Sequence, residues 1–216
     1  MQWRVIVVGG HTRSIGKTQL VCDVIAAFPE KNWIAGKITQ YGHGVCAQNG
    51  DNCDCAPDEH VCAISWEQRP NETDSGRFLA AGARRSFWLR TKQGFLAEGM
   101  PLLRAALRET ESQADIPGNL ILESNTLLQF LKPSLFLMVV DPAKADFKDS
   151  ARMQMDRASA VILRNAAANG AAAWAGTSTR PLAEKPQFLQ REGEDLPAEL
   201  RNQVRDILRA TKGMAI

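Results

Sequence analysis

A short segment near the amino terminus has the residue types that bind a phosphate chain. It runs from Gly10 to Thr18, with five residues between Gly10 and Gly16, followed by Lys17 and Thr18. Backbone N–H groups of such a loop, and of a helix that follows it, point at phosphate oxygens. The lysine adds a charge near the β- and γ-phosphates, and the threonine hydroxyl can bind the Mg²⁺ that bridges them. The residues expected to contact a nucleotide are Gly10, His11, Thr12, Arg13, Ser14, Ile15, Gly16, Lys17, Thr18 and Gln19.

Acidic residues farther along the chain could complete a magnesium and water site. Glu123 ends an apolar run, and parallel α/β sheets place their sites at the carboxyl ends of such strands. A carboxylate there can hold Mg²⁺ through water or orient an attacking water, although it could also be a satisfied strand-end acid. Asp74 and Ser75 precede a predicted helix, where they either contact nucleotide or Mg²⁺ or cap the helix. The expected catalytic residues are Lys17, Glu123 and Asp74.

Two further positions lie after apolar strands. Asp141 precedes Pro142, so it is either an outer acid of the site or a turn residue. Asn165 follows the run 160–164, where guanine-binding proteins carry an Asn-Lys-x-Asp motif. Here three alanines follow the asparagine, so the motif's lysine and aspartate are missing. The sequence therefore leaves the choice between ATP and GTP open.

Four of the five cysteines lie close together in a polar stretch. Their spacing is C-x6-C-x-C-x6-C, and thiolates in such a set can close a tetrahedral Zn²⁺ site. A disulfide between cysteines two positions apart would be strained. Zinc is the favoured interpretation, an iron–sulfur cluster is the second, and free thiols in a loop remain the alternative. The expected ligands are Cys46, Cys53 and Cys55, with either His60 or Cys62 as the fourth.

The elements that must position these groups alternate along the chain. Runs of apolar, β-branched residues predict strands, and apolar residues three and four positions apart predict helices. The alternation predicts an α/β fold with a mostly parallel sheet flanked by helices, as one domain over 1–216 with a Cys-rich metal-binding insertion at 40–66. The predicted strands are 3–9, 33–39, 84–90, 119–123, 134–140, 160–164 and 172–175, and the predicted helices are 17–28, 77–83, 95–110, 125–131, 145–156 and 197–211.

The composition excludes several classes of function. A net charge of +2 over 216 residues gives no broad basic surface, so we expect no nucleic-acid partner. No apolar stretch approaches the length of a membrane span, so we expect no membrane association. The apolar run at the amino terminus is too short for a signal peptide, which predicts a cytoplasmic location. In that compartment, clustered cysteines bind metal more often than they form disulfides.

The motifs resemble two families of phosphate-loop proteins. A five-residue gap before Gly-Lys-Thr is similar to the loop of dethiobiotin synthetases. The order of the other motifs resembles the molybdopterin-guanine dinucleotide biosynthesis adaptor proteins: Gly36-Lys37-Ile38-Thr39 near the end of the second strand, Thr73-Asp74-Ser75 before the run 78–83, and 119–125 at a strand end. The chain departs from those adaptors in the extra loop residue, in Ser124-Asn125 where they have Gly, and in its cysteine insertion.

The resemblance implies a P-loop NTPase that binds Mg²⁺ and ATP or GTP. It would hydrolyse the nucleotide slowly, as an adaptor in molybdenum-cofactor biosynthesis with a small-molecule or protein partner. A small-molecule kinase or an ATP-dependent ligase is the first alternative, and a nucleotide-switched metal-binding module is the second. The sequence has no interface signature, so a homodimer remains open.

Overall fold

The strands form one sheet at the centre of the molecule. The structure is a computed structural model, and it describes residues 2–42, 61–110, 118–165, 174, 176–210 and 213. Within these ranges, eight strands lie in the order β3-β4-β2-β5-β1-β6-β7-β8. All neighbours pair in parallel except β3, which runs antiparallel to β4 at one edge. The strands are β1 (Trp3–Gly10), β2 (Ile34–Tyr41), β3 (Cys62–Trp66), β4 (Arg85–Lys92), β5 (Gly118–Glu123), β6 (Leu135–Val140), β7 (Ala160–Leu163) and β8 (Gln187–Leu189).

Helices cover both faces of the sheet. The described helices are α1 (Lys17–Ala27), α2 (Asp74–Ala80), α3 (Leu96–Glu109), α4 (Asp149–Arg152), α5 (Arg180–Ala183) and α6 (Ala198–Arg209), with 3-10 turns at Pro29–Lys31, Thr126–Gln129 and Met155–Arg157. On one face, α1, α2 and α6 pack against Ile6 and Val8 of β1. On the other, α3, α4 and α5 pack against Val5 and Val7. Because β1 is buried on both faces, its sequence is continuously apolar rather than alternating.

The predicted fold class is confirmed, and six predicted strands lie within two residues of β1, β2, β4, β5, β6 and β7. The predicted strand at 172–175 lies mostly outside the described residues. Two short strands, β3 and β8, were not predicted. Strand β3 falls inside the segment interpreted as the cysteine insertion, and its residues are only partly buried, which gives an edge strand a weak hydrophobic pattern.

Three predicted helices differ from the structure. Helix α2 begins at Asp74, because the Thr73 side chain accepts a hydrogen bond from Gly76 N at 3.0 Å and caps it. Neither Asp74 nor Ser75 is the cap. The helix predicted at 145–156 is reduced to α4 and a 3-10 turn, since residues 146–148 bond to the phosphate loop instead. The helix predicted at 125–131 is a 3-10 turn. None of the described helices has both the length and the apolar character that a bilayer crossing requires.

Candidate functional site

The phosphate loop lies between β1 and α1, at the carboxyl edge of the sheet. Strand β1 is flanked by β5 and β6, and the loop leaves it at Gly10. Gly16 has a φ of 80°, a left-handed conformation that glycine adopts without strain, and α1 begins at the next residue. No side chain caps α1, so the first backbone N–H groups of this helix are available to an anion.

Asn125 holds the start of the loop. Its amide oxygen accepts a hydrogen bond from Gly10 N at 2.8 Å, and its amide nitrogen donates to Gly10 O at 2.9 Å. A side chain at Gly9 would meet the Asn125 amide oxygen at 2.3 Å, so glycine is required there for the contact to form. Asn125, two residues after β5, therefore fixes the backbone from which the loop departs.

His11 anchors the underside of the loop. Its ring is fully buried, lies against Phe147 and Trp174, and accepts a hydrogen bond at Nε2 from Asp141 N at 3.1 Å. Nδ1 therefore carries the proton and donates it to Asp146 O at 2.8 Å. Burial lowers the pKa of His11, which keeps the ring neutral in this tautomer. Both ring nitrogens are used by the protein, and neither remains for a nucleotide.

Lys17 and Thr18 lie at the first turn of α1. The Lys17 ammonium donates to Thr12 O, within the loop, at 2.6 Å. Burial lowers the pKa of Lys17, although the charge of Glu123 opposes this. The Thr18 hydroxyl donates to Glu123 Oε2 at 2.8 Å. The structure thus brings the lysine, the threonine and the strand-end acid predicted from sequence to one place.

An ion-pair cluster, buried at Glu123 and more exposed at Asp74, joins the acids. Glu123 is 2% exposed, and its Oε1 lies 2.5 Å from the ammonium of Lys37, which also lies 2.7 Å from Asp74 Oδ2. Burial by itself would lower the pKa of Lys37, yet Glu123 and Asp74 together raise it. Burial would likewise raise the pKa of Asp74, but Lys37 holds it below its usual range. Lys37 and Asp74 are therefore both charged at neutral pH.

Lys37 is a site residue that was not among those predicted from the sequence. Its signal was a lone charged residue inside the otherwise apolar run 33–38, in the middle of β2. Buried lysines in strands require a partner, so this position pointed to an acid nearby. Nothing in the sequence indicated that the partners would be Glu123 and Asp74.

Arg164, at the end of β7, holds the other end of the loop. Its guanidinium donates to Gly16 O at 2.6 Å and to Gln190 Oε1 at 3.1 Å. Gln190 in turn donates to Asp23 of α1 at 2.8 Å. This buried network connects β7, the residue after β8, and α1 to the loop. No local pattern in the sequence predicts this network, because its residues are far apart in the chain.

Several predicted candidates have structural contacts instead. Ser75 donates to Glu67 Oε1 at 2.5 Å. Asp141 accepts hydrogen bonds from Ala143 N at 2.9 Å and from the Asn165 amide at 2.7 Å, as expected of a turn residue. The asparagine considered for guanine contact is thus bonded to this turn.

Most of the predicted zinc ligands lie outside the described residues, namely Cys46, Cys53, Cys55 and His60. Cys62 is described and is the first residue of β3, with its thiol 3.5 Å from Phe95 O. Burial raises the pKa of Cys62, and burial raises that of Cys22 in α1 to about 11. Within the described ranges, no three His, Cys, Asp or Glu side chains form a metal-ligand group.

The sheet and the loop together define the class of fold. A mostly parallel sheet with helices on both faces, and a strand–loop–helix unit carrying Gly16, Lys17 and Thr18, is the α/β fold of the P-loop NTPases. The chain has this fold.

Comparison with known proteins agrees at the level of the fold. No protein-family model and no curated protein matches the chain. Among solved structures it is similar to HypB from Helicobacter pylori in complex with nickel, with 13% identity, a TM-score of 0.52, and coverage of 100% of this chain and 91% of that one. It is also similar to LpxK from Aquifex aeolicus in complex with ATP, with 16% identity, a TM-score of 0.49, and coverage of 97% and 68%. A Zn(II)-bound triple mutant of the YjiA GTPase shows 14% identity, a TM-score of 0.46, and coverage of 94% and 63%.

Proposed function

We propose that this chain binds a nucleoside triphosphate with Mg²⁺ and hydrolyses it slowly. The observation that carries the proposal is the bond between Thr18 of α1 and Glu123 of β5, beside Lys17 at the phosphate loop. A helix terminus of the kind that binds phosphate, a lysine and a buried carboxylate lie together at this point, which supports the proposal.

The donor set fits a magnesium ion. Mg²⁺ takes oxygen ligands in proteins, and the Thr18 hydroxyl and the carboxylates of Glu123 and Asp74 are such ligands. The ammonium of Lys37 lies between the two carboxylates, 2.5 Å and 2.7 Å from them. These two acids therefore already pair with one cation, that of Lys37. Thr18 and Glu123 would hold the ion, directly or through water, and the ion would neutralise charge on the β- and γ-phosphates.

The chain's own residues supply the remaining steps. Lys17 exchanges its contact with Thr12 O for phosphate oxygens, and the amides at the start of α1 bind the same anion. Glu123 is buried and accepts a hydrogen bond from Thr18, so its side chain is held in one position. A carboxylate held in this way can orient a water molecule. Positioning and charge neutralisation account for most of phosphoryl transfer, which needs little further chemistry from the protein.

The finer assignment rests on the resemblance in sequence. The motifs at 36–39, 73–83 and 119–125 follow the order of the molybdopterin-guanine dinucleotide adaptors, and they support a cytoplasmic adaptor role in molybdenum-cofactor assembly. A small-molecule kinase or ligase uses the same loop, so the acceptor decides between these functions. Phosphate release without any added acceptor favours the adaptor, and release only with a small acceptor favours the kinase or ligase.

Calorimetry with ATP and GTP, each with and without Mg²⁺, tests the proposal. Wild-type protein should bind at least one nucleotide, and Mg²⁺ should strengthen the binding. Lys17→Ala should remove detectable binding, because the buried ammonium is lost from the loop. Lys132→Ala is the matched control. Lys132 is exposed and precedes the amino end of β6, whereas the phosphate loop lies at the carboxyl ends of the strands. Wild-type affinity in Lys17→Ala would contradict the proposal.

A further inference from the structure

Lys148 lies beside the first half of the phosphate loop. Its backbone N–H donates to His11 O at 2.8 Å, immediately before α4. Asp146, two residues earlier, accepts from the His11 ring at its carbonyl oxygen and from the Thr12 hydroxyl at its carboxylate. Main-chain and side-chain bonds thus hold this segment against His11 and Thr12, and they place Lys148 at the loop.

The ammonium of Lys148 lies among like charges. Its pKa is lowered to about 8, mainly by burial and also by the charges of Arg13, Lys17 and Lys37, while Asp146 opposes them. Lys148 is half-buried, and its ammonium forms no hydrogen bond or ion pair within the described part of the chain. A partly desolvated cation with cationic neighbours is costly unless an anion joins it.

We propose that Lys148 is a second phosphate-binding lysine, which contacts the phosphate chain of the bound nucleotide together with Lys17. This inference rests on the proposed function, because the anion is the triphosphate that the loop is inferred to hold. Its position distinguishes Lys148 from Lys37. The backbone of Lys148 is bonded to His11 of the loop, whereas Lys37 pairs with Glu123, which we propose helps to hold Mg²⁺. The two lysines therefore approach the site from different elements.

Bound phosphate should change the charge of Lys148. Near pH 8 this lysine is about half protonated in the empty site, and an adjacent anion favours the charged form. Binding at that pH should therefore take up about half a proton at Lys148. Above about pH 8, the affinity for nucleotide should fall as the pH rises, because the proton must be supplied on binding.

Three variants separate this role from a structural one. Lys148→Gln removes the charge and should weaken ATP binding at least tenfold at about pH 7.5. Lys148→Arg keeps a charge that does not titrate, so it should retain the affinity and lose the proton uptake. Lys144→Gln is the matched control, an exposed lysine four residues away, and should match wild type. Proton uptake is measured by calorimetry in buffers of different ionisation enthalpy, and any uptake that remains in Lys148→Arg belongs to other groups such as Lys17.

Inorganic tripolyphosphate serves as the second probe. Because the contact is to phosphate, Lys148→Gln should weaken tripolyphosphate binding by the same factor as ATP binding. An unchanged affinity of Lys148→Gln for both ligands, with wild-type proton uptake, would overturn the inference while leaving nucleotide binding intact. If wild-type protein binds neither nucleotide nor tripolyphosphate, the proposed function itself fails. Thermal unfolding should change little in all three variants, since the bond to His11 is made by the backbone.

Discussion

Lys37 determines the charge balance of the candidate site. Its side chain is 16% exposed, and it lies between a carboxylate that is 2% exposed and one that is 42% exposed. The ammonium offsets the repulsion between two acids that lie close to the phosphate loop, and the cost of burying one of them. A single residue on β2 thus allows β5 and α2 to present carboxylates toward the same point.

Replacing Lys37 with methionine should destabilise the protein by about 3 kcal/mol at neutral pH, because Glu123 is left buried without its cation. The pKa of Asp74 is held low by Lys37, so its carboxylate stabilises the fold above its ordinary pKa and loses this effect as the pH falls through the lowered value. The difference between Lys37→Met and wild type should therefore narrow below about pH 4. Chemical denaturation of both proteins at several pH values measures this difference in the free energy of unfolding.

Lys31→Met is the control for this prediction. Lys31 also pairs with a glutamate, Glu30 at 3.4 Å, but Glu30 is 62% exposed. An ion pair of that kind contributes about 0.5 kcal/mol or less. If both variants lose the same small amount of stability, or if the Lys37→Met difference does not depend on pH, the account of the cluster is wrong.

At the scale of elements, the loop is held at both ends by residues that follow strands on either side of β1. Asn125 follows β5 and bonds to Gly10, where the loop begins, and Arg164 follows β7 and bonds to Gly16, where it ends. Through Gln190 and Asp23, the arginine also connects the loop to α1. Loops that bind phosphate must be preorganised to bind tightly, and these contacts supply that rigidity.

Arg164→Lys should weaken nucleotide binding about tenfold while the chain still folds, because lysine cannot bond to Gly16 O and Gln190 at once. The measurement is the dissociation constant for ATP beside the midpoint of thermal unfolding. Arg157→Lys is the matched control, since Arg157 also donates to main-chain oxygens, of Leu128 and Leu131, but away from the loop. A loss of affinity in both variants that simply follows the loss of stability would argue against a positioning role for Arg164.

At the scale of the whole molecule, β4 holds both ends of the cysteine-bearing segment. Tyr41, at the end of β2, accepts a hydrogen bond from Gln93 N at 2.9 Å, and Val61 accepts one from Lys92 N at 2.8 Å. Because β3 runs antiparallel to β4, the segment leaves and re-enters at the carboxyl edge of the sheet, the edge that also carries the phosphate loop. A segment with fixed ends loses less entropy when metal ligands close it.

Metal analysis tests the zinc site that the cysteine spacing predicts. Protein purified without oxygen should contain about one zinc per chain, and Cys53→Ser and Cys55→Ser should lose it, because thiolates are the expected ligands. Cys22→Ser is the control, since Cys22 is buried in α1 and should not affect the zinc content. Stoichiometric iron with visible absorption would replace zinc by an iron–sulfur cluster. The absence of both metals would leave the cysteines as free thiols.

The sequence by itself predicted most of the elements and the loop that we propose binds phosphate. Runs rich in apolar residues predicted six of the strands, because buried parallel strands carry that pattern locally. The unit Gly16-Lys17-Thr18 was visible for a similar reason, since its chemistry lies in adjacent residues. Short or half-buried elements such as β3 and β8 gave no comparable signal.

Only the tertiary structure decided which distant side chains meet. Lys37 and Glu123 are 86 residues apart in the chain, and Gly16 and Arg164 are 148 apart, yet both pairs are in direct contact. The order of strands in the sheet creates these contacts, and no local pattern encodes that order. In the sequence, Lys37 is an isolated charge and Lys148 is one lysine among several. In the folded chain both lie near the phosphate loop, where burial and neighbouring charges give each of them a chemical role.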